Sequence, residues 1–493
     1  MFNTYAKEET ELFKYFLDNT LFCPQNKITN YQKKIDIDIA GGIHRIELIV
    51  RPECNQKCEY CYITRHGSDL YPYHERVGNE QILTNLDAFL HHIFVEKGMF
   101  IDNWELFAGD MFYDGLYFDI IDIFEKYIKV SYQDYPDVYR ENSILILTPC
   151  NFSFIEDEEK TNRLRSYIEK MKKYNVDLGF SASTDGKYGV DTREQRDLSE
   201  DYFDKIFNFI KDYPRMGIHP MLSASNVRNL KDNYDWWKEM YKKHLDMKFR
   251  IPSYLEVRND EWTDEDLDAY MDALQYMIDD RLALCNNNID ELAYHLFNGD
   301  GKNGTIRRLH QNDLIRPDCN HAFKHDDRMS CSIQQMIHLT LNNLTIVPCH
   351  RLTYPHLRAG HFVLDENNRI IGVEGENPLP LMIINGVRGS DVPKCSKCVY
   401  APTCFKGCLG AQYESTGELF MPTQSVCKLL QTKTAFLLKT YDEMGVLDSA
   451  RAQGLLRDSQ DKVFTNILQH LKRHDVNKCK ECKNDEMYEG GCK

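Results

Sequence analysis

A short apolar stretch followed at once by a cysteine-rich loop decides the fold, and residues 46–61 read IELIVRPECNQKCEYC. The first five residues are mostly apolar and rich in β-branched side chains, which is typical of a buried strand. Cys54, Cys58 and Cys61 follow with C-x3-C-x2-C spacing. Chance supplies only about 0.02 such matches in a chain with this cysteine frequency. Three thiolates on one loop suit a 4Fe–4S cluster that leaves one iron without a protein ligand, and a zinc loop lacking its fourth ligand is the alternative.

Strand and helix patterns alternate from this loop to about residue 258. After the strand at 46–50, further strands are predicted at 104–107, 143–148, 176–181, 216–222 and 249–257. Helices are predicted between them, with Asn79 and Ser199 as the N-terminal caps of two. Six strand–helix units in series predict a parallel sheet with right-handed crossovers. Six units are too few for a closed eight-stranded barrel, so the expected fold class is α/β with a partial (β/α)6 TIM-like barrel whose active site lies at the carboxyl ends of the strands.

The rest of the chain is divided by its pattern and by its cysteines. A capping-box pattern from Thr263 to Asp266 opens a long predicted helix. From about Cys331 to Cys427 the periodicity weakens and cysteines dominate, which predicts a small domain organised by metal. The expected organisation is a lead-in at 1–43, the barrel at 44–262, a helical linker at 263–330, a cysteine-rich Fe–S domain at 331–430, and C-terminal helices with a cysteine-containing tail at 431–493.

The composition narrows the classes of function. The chain has 493 residues, with 60 Lys plus Arg against 76 Asp plus Glu, so its formal net charge is −16. This balance disfavours nucleic acid or an anionic membrane as a partner. No apolar run reaches the roughly 18–20 residues of a membrane span, and the N-terminus lacks the apolar core of a signal peptide. The expected location is the cytoplasm, where 17 cysteines favour metal ligation over disulfides.

The cysteine loop, with the aromatic residue Tyr60 before its last cysteine, resembles the radical S-adenosylmethionine (SAM) superfamily. The resemblance implies that Cys54, Cys58 and Cys61 are the catalytic cysteines that hold a 4Fe–4S cluster, and that SAM chelates its open iron. One electron would then cleave SAM, and the resulting 5′-deoxyadenosyl radical would abstract a hydrogen atom from the substrate.

Two further segments match the SAM-binding pattern of that family. Phe107-Ala-Gly-Asp-Met111 resembles the Gly-Gly-Glu segment after the second strand, although Asp is one methylene shorter than Glu. Ser183-Thr-Asp185-Gly186 resembles a Ser-x-Asp-Gly segment near the SAM ribose and carboxylate. A nearby arginine would pair with that carboxylate. The implied cofactor-binding residues are Tyr60, Gly109, Asp110, Ser183, Asp185 and Arg193, with Arg196 as the alternative to Arg193. The competing interpretation is that these are turn residues or solvated charges without a role in binding SAM.

A second cysteine set has the spacing C-x2-C-x5-C-x3-C followed by one more cysteine. Chance would produce its four-cysteine core on the order of 0.001 times per chain. Four thiolates alone would suit zinc, but beside a radical SAM core the set resembles the SPASM domain, which holds two auxiliary Fe–S clusters. The resemblance implies a distal cluster on Cys395, Cys398, Cys404 and Cys427, and a nearer cluster on Cys408, Cys331, Cys349 and Cys319. An open position on the nearer cluster, in place of Cys319, is the alternative. Leu344 departs from the family, which has a glycine five residues before the cysteine that corresponds to Cys349.

A third set lies in the tail at Cys479, Cys482 and Cys492. Three cysteines are one short of a closed zinc site, and His474 would supply the fourth ligand. Terminal cysteines without a metal are the competing interpretation.

The SPASM resemblance favours a peptide or protein substrate, with thioether or carbon–carbon crosslinking of a ribosomally made peptide as the expected modification. Formylglycine formation is less favoured, because His350 stands where sulfatase-maturing relatives carry an Asp. His350 has the chemistry of a base, with a structural histidine as the alternative. The expected partner that supplies electrons is a reductant such as flavodoxin or ferredoxin. Only 43 residues precede the barrel, so a leader peptide is expected to be recognised by a separate leader-binding protein, by the barrel edge or by the C-terminal tail.

Two other classes stay open at the level of sequence. One is a radical SAM oxidoreductase of a small molecule, and the other is a zinc-binding interaction protein on a barrel scaffold. A brown protein with roughly twelve irons that cleaves SAM would eliminate the zinc protein.

Overall fold

The computed structural model describes residues 2–31, 45–107, 109–188, 199–213, 216–247, 251–252, 254–257, 260–297, 315, 333, 336–404 and 407–473. Several residues singled out above lie outside this part of the chain: Arg193, Arg196, Cys319, Cys331, His474, Cys479, Cys482 and Cys492. The chain forms two compact units. The first draws on Met1–Thr184, Arg193–Ile218 and Ser332–Gly386, and the second on Asp185–Thr192, His219–Cys331 and Val387–Lys493.

The described strands, in chain order, are β1 (Arg45–Ile49), β2 (Asn103–Phe107), β3 (Ile144–Cys150), β4 (Val176–Ala182), β5 (Met216–Ile218), β6 (Met221–Leu222), β7 (Leu255–Glu256), β8 (Met336–Thr340), β9 (Thr345–Val347), β10 (Gly360–Leu364) and β11 (Ile370–Gly375). Nine of them form the sheet of the first unit, in the order β11-β10-β9-β8-β1-β2-β3-β4-β5. The strands β1 to β5 are parallel and lie side by side in chain order. This order is that of consecutive right-handed βα units, as in a TIM-like barrel, and it confirms the predicted α/β class.

The described helices are α1 (Phe2–Asn19), α2 (Tyr62–Leu70), α3 (Asn79–His91), α4 (Leu116–Asp134), α5 (Pro136–Glu141), α6 (Glu158–Lys172), α7 (Glu200–Asp212), α8 (Leu230–Leu245), α9 (Asp264–Leu284), α10 (Ile289–Phe297), α11 (Leu379–Gly386), α12 (Pro393–Ser396), α13 (Leu409–Thr416), α14 (Gln424–Glu443), α15 (Val446–Ala452) and α16 (Asp458–Arg473). None of the helices in the described part of the chain combines the length and the apolar character that a membrane crossing needs.

Two of the three predicted helix starts are confirmed. The Ser199 hydroxyl accepts a hydrogen bond from the Tyr202 amide at 3.2 Å and caps α7. Thr263 and Asp266 form the expected reciprocal capping box at the start of α9. The prediction for Asn79 was wrong, because Gly78 is the cap and Asn79 is the first helical residue. The Asn79 side chain instead bonds to Arg51 and Asp114, which draws it away from the helix amides.

The predicted fifth strand, 216–222, is interrupted. Met216–Ile218 pairs with β4 in the first unit, whereas Met221–Leu222 pairs with β7 in the second. Pro220 lies between the two short strands, and proline has no N–H with which to continue a ladder. Of the predicted sixth strand, 249–257, the described residues show only Leu255–Glu256 as strand.

The strands β8 to β11 extend the sheet beyond β1, in a region where the sequence indicated weak periodicity. β8 is parallel to β1, and β9, β10 and β11 follow it as antiparallel neighbours. All five residues of β8 are buried, so its apolar and polar side chains do not alternate between core and solvent. Leu344, in the turn between β8 and β9, has a φ of +53°, which is the backbone conformation that favours glycine.

Candidate active site

The cysteine loop leaves the carboxyl end of β1, where the Val50 amide donates to the Phe107 carbonyl at 3.0 Å. Cys54 is exposed, and Cys58 and Cys61 are half-buried. Cys61 directly precedes α2, and its amide donates to the Cys58 carbonyl at 3.1 Å. The Gln56 amide donates to the Cys54 Sγ at 3.4 Å. Three thiols on one loop, of which the Cys54 thiol already accepts an N–H, fit the donor chemistry of Fe–S ligation.

Arg51 anchors the start of this loop. Its guanidinium is buried and donates two parallel hydrogen bonds of 2.7 Å to the Asp114 carboxylate and a third of 2.7 Å to the Asn79 Oδ1. Partial burial alone would raise the pKa of Asp114, but the hydrogen bonds from Arg51 and Asn79 hold that pKa below its usual value. A paired, two-pronged contact of this kind fixes the direction in which the chain leaves β1.

Gly109 and Asp110, which follow β2, hold the middle of the loop. The Asp110 amide donates to the Glu53 carbonyl at 2.9 Å. Gly109 has a φ of +52°, and a Cβ at this position would lie 2.0 Å from the Glu53 oxygen. The loop therefore approaches so closely that only glycine fits at this position. This close approach explains the glycine without any contact to a cofactor.

The Asp110 carboxylate is engaged within the protein. One oxygen accepts from the Phe112 amide at 2.8 Å, and the other accepts from the Asn151 amide at 3.1 Å. Burial raises the pKa of Asp110, although these amides oppose the shift. A direct contact from Asp110 to SAM remains a prediction.

A small network at the end of β3 was missed by the sequence reasoning. The Asn151 Nδ2 donates to the Asn55 Oδ1, and the Asn55 Nδ2 donates to the Ser153 Oγ at 3.2 Å. The Ser153 amide closes the ring by donating to the Asn151 Oδ1 at 3.0 Å. The only available signal was that Asn55 lies inside the cysteine motif and Asn151 follows a strand. The ends of β1, β2 and β3 thus all hold the cysteine loop.

Ser183 and Asp185, which the sequence predicts to bind SAM, have different surroundings. The Ser183 amide donates to the Cys150 carbonyl at 2.8 Å, in the first unit. The buried Asp185 belongs to the second unit, where its Oδ1 accepts from the Met221 amide at 2.8 Å. Its carbonyl accepts from the Asn233 Nδ2 at 2.6 Å. The structure therefore gives Asp185 a role in holding β6, and its contact with SAM stays a prediction.

A buried carboxylate in the sheet holds two histidines, which the sequence did not indicate as a group. Glu47 on β1 lies opposite His338 on β8, and the His338 Nδ1 is 2.8 Å from a Glu47 oxygen. The His350 Nδ1 lies 3.0 Å from each of the two Glu47 oxygens. Burial alone would raise the pKa of Glu47, but His350 and His338 hold that pKa well below its usual value.

These three residues form a hydrogen-bonded unit rather than a metal site. If a metal ion were bound through these Nδ1 atoms, the ring proton of His338 would lie on Nε2. This Nε2 is buried and has no hydrogen-bond partner among the described residues. A metal-bound histidine normally donates that second N–H. In the tautomer that donates Nδ1–H to Glu47, the Nε2 of a neutral ring is instead an acceptor.

His350 lies beside the cysteine loop. Its ring stacks on Phe107 with centroids 3.9 Å apart and lies 5.4 Å from the ring of Tyr62, which follows Cys61. The Tyr71 hydroxyl donates to the His350 carbonyl at 3.2 Å. His350 keeps 25% of its side chain exposed, whereas Glu47 and His338 keep 3%. The accessible face of this group is therefore the His350 ring.

The remaining described cysteines of the predicted auxiliary sites fall in both units. Cys349 is buried in the first unit, just after β9. Among the described residues, the second unit holds five half-buried cysteines of the predicted auxiliary sites, at Cys395, Cys398, Cys404, Cys408 and Cys427. Cys427 lies close enough to Cys398 for the two thiols to interact electrostatically, although 28 residues separate them in the chain. The assignment of these cysteines to a distal cluster stays a prediction.

Comparison with known proteins gives matches among solved structures alone. No family model matches the chain, and no curated protein matches it. One similar structure, described as native anSMEcpe with bound AdoMet, is 14% identical, with a TM-score of 0.49, over 83% of this chain and 99% of that chain. A second, with AdoMet and the Cp18Cys peptide, is 14% identical, with a TM-score of 0.47, over 81% and 99% of the two chains.

A third similar structure is Streptococcus suis SuiB bound to its precursor peptide SuiA. It is 11% identical, with a TM-score of 0.41, over 78% of this chain and 76% of that chain. In its C-x3-C-x2-C loop and in the order of its parallel strands, the chain resembles radical SAM enzymes.

Proposed function

We propose that this protein is a radical SAM enzyme that abstracts a hydrogen atom from a peptide or protein substrate. The observation that carries the proposal is the C-x3-C-x2-C loop at the carboxyl end of β1, held by residues at the ends of β2 and β3. In parallel α/β folds, this end of the strands is where catalytic residues lie. When bound, the cluster supplies the electron that cleaves SAM, and SAM supplies the 5′-deoxyadenosyl group that takes the hydrogen atom.

The residues of this chain hold the cofactors in place. Cys54, Cys58 and Cys61 would hold the cluster, and Arg51 and Gly109 fix the loop that carries them. Tyr60, Asp110, Ser183, Asp185 and Arg193 are proposed as SAM-binding residues on the family resemblance. Asp110 would act chiefly by holding the Asn151 amide at the end of β3, since both of its oxygens are already engaged.

His350 is proposed as the side chain that orients the substrate. Glu47 holds its Nδ1, which leaves Nε2 to accept a hydrogen bond from a substrate N–H or O–H. Its accessible ring lies beside Tyr62 at the cysteine loop. A replacement such as His350→Gln is therefore expected to lower substrate conversion while cleavage of SAM in the absence of substrate persists.

The peptide class rests on the resemblance of the second cysteine set to the SPASM domain. Cys395, Cys398, Cys404 and Cys427 are proposed to hold one auxiliary cluster, and Cys408, Cys349, Cys331 and Cys319 the other. The expected modification is a thioether or carbon–carbon crosslink. A flavodoxin or ferredoxin would supply electrons, a separate protein would present a leader peptide, and zinc is proposed for the tail cysteines.

The test begins with protein purified and reconstituted without oxygen. Cys58→Ala should lose iron and all SAM cleavage, because two thiolates do not hold a cluster that needs three. Cys23→Ala, which alters a buried cysteine of the first unit, is the matched control and should retain both. Full SAM cleavage by Cys58→Ala would overturn the proposal.

The substrate class is tested by isotope transfer. Deuterium should pass from a deuterated peptide into 5′-deoxyadenosine, and the peptide should lose mass equal to two hydrogens when a crosslink forms. Transfer from a deuterated alcohol or sugar, and from no peptide, would instead identify the small-molecule oxidoreductase. A gain of formylglycine in a sulfatase peptide would identify a sulfatase-maturase-like reaction.

A further inference from the structure

The thiol of Cys398 accepts a hydrogen bond from a side chain outside the cysteine motif. The Gln431 Nε2 lies 3.6 Å from the Cys398 Sγ. Gln431 belongs to α14, which also carries Cys427 four residues earlier. Residues four apart on a helix lie on the same face. Gln431 therefore lies beside one proposed ligand of the distal cluster and bonds to another.

A positive charge lies near the same two cysteines. The Lys394 ammonium donates to the Pro422 carbonyl at 2.7 Å, and it interacts with the Cys427 thiol by charge and by hydrogen bonding. Lys394 also directly precedes Cys395 in the chain. The proposed distal site is thus bordered by an amide N–H and an ammonium, and both are electropositive groups aimed at sulfur.

Donors of this kind change the redox equilibrium of a cluster. Reduction adds one negative charge, much of which resides on the sulfurs, so an N–H bond to a ligand sulfur stabilises the reduced state more than the oxidised state. The effect is large where the sulfurs are partly shielded from water, as these half-buried cysteines are.

We infer that Gln431 is a positioning residue that raises the reduction potential of the distal cluster by donating its amide N–H to the Cys398 sulfur. The inference rests on the proposed function, because it takes Cys395, Cys398, Cys404 and Cys427 as the ligands of that cluster. A distal cluster with a raised potential accepts an electron more readily, so Gln431 would make this cluster the electron-accepting end of the chain of clusters.

The experiment measures the potential directly. The full chain carries Ala at Cys54, Cys58 and Cys61, so that only the auxiliary clusters assemble, and it is titrated with a reductant while the reduced clusters are followed by electron paramagnetic resonance. At the potential where half of the distal cluster is reduced, Gln431→Leu should lower the ratio of reduced to oxidised cluster about tenfold, which is 59 mV for one electron. Leu has a similar volume but no donor.

Two further variants separate charge from packing. Gln431→Glu keeps the shape of the side chain but replaces the donor by a carboxylate, so it should lower the ratio further than Gln431→Leu. Gln424→Leu changes an exposed glutamine in the first turn of the same helix and should leave the ratio unchanged. If Gln431 only packs, Gln431→Leu lowers the melting temperature without moving the potential, and the inference is overturned.

The failure of the inference can be told from the failure of the proposed function. If Cys398→Ala leaves the iron content unchanged, these cysteines hold no cluster, and both the auxiliary-cluster assignment and the inference fall. If Cys398→Ala removes about four irons but Gln431→Leu does not change the reduction potential of the distal cluster, the inference alone is wrong.

Discussion

At the scale of single residues, Glu47 is a buried charge of the first unit that two histidines hold. It lies in the middle of β1, almost without exposure, and two imidazoles share its carboxylate. A buried carboxylate is costly unless it is fully paired. Removing one member of such a group leaves the others buried and unpaired, so Glu47 supports the fold as well as the orientation of His350.

We expect Glu47→Leu to lower the stability of the protein by about 3 kcal/mol, because two buried or half-buried imidazoles lose their acceptor. The measurement is the midpoint of thermal unfolding of the apoprotein. Glu376→Leu is the control, since Glu376 also bonds a histidine, His361, at 2.9 Å but on the surface. Equal losses in the two variants would contradict the role assigned to Glu47.

The surface pair His361 and Glu376 predicts a dependence on pH. The hydrogen bond to Glu376 raises the pKa of His361 above its usual value, despite partial burial. A histidine with a raised pKa in the folded state contributes stability below its ordinary pKa and loses this contribution as the pH rises through the folded value. The difference in melting temperature between the wild type and His361→Gln should therefore be larger at pH 6 than at pH 9. A difference that stays constant over this range would count against the pair.

At the scale of elements, the cysteine loop depends on the ends of three neighbouring strands. Arg51 fixes its start, Gly109 and Asp110 contact Glu53, and Asn151 holds Asn55. These contacts are polar and come from the protein's own residues, so they restrict the loop without help from a cofactor. Preorganisation of this kind reduces the cost of placing three thiolates around one cluster.

Gly109→Ala should displace the loop, because its Cβ would lie 2.0 Å from the Glu53 oxygen. We expect a loss of iron at the first cluster and at least a tenfold loss of SAM cleavage. Gly98→Ala is a matched control: Gly98 also has a positive φ, +58°, but a Cβ there would meet nothing within 4 Å. Backbone strain alone costs about 1–2 kcal/mol. If both variants lose iron and SAM cleavage to the same extent, backbone strain and not the close approach of the loop explains why glycine is needed at position 109.

At the scale of the whole molecule, two compact units carry different sets of cysteines. The first unit contains Cys54, Cys58, Cys61 and Cys349, and the second contains the five thiols from Cys395 to Cys427. If Cys54, Cys58 and Cys61 hold the SAM-binding cluster and Cys395, Cys398, Cys404 and Cys427 the distal cluster, these two clusters belong to different units. SAM cleavage then belongs to the first unit, and electron transfer to or from the substrate involves the second.

Cys398→Ala tests this division. We expect SAM cleavage to stay measurable, because the C-x3-C-x2-C loop is intact, while substrate conversion falls at least tenfold because the distal cluster is incomplete. The two rates are measured in the same anaerobic assay as 5′-deoxyadenosine and modified peptide. Unaltered turnover would show that the distal cluster is not needed.

The sequence by itself determined the parallel α/β architecture, the first four strands to within two residues, and the cysteine motifs. These features are local, since strand and helix periods and cysteine spacing are written along the chain. The predicted Asn79 cap was wrong because a contact with Arg51 overrides the local pattern. The prediction of a continuous fifth strand was wrong because Pro220 interrupts it.

Only the tertiary structure decided which distant residues meet. The pairing of β8 with β1 places His338 opposite Glu47 across 291 residues, and helix α14 brings Gln431 to Cys398 across 33. Leu344 shows the same limit, since its left-handed backbone is set by the turn between β8 and β9 and not by its own preference. Contacts of this kind depend on strand order and packing, which no local window of sequence contains.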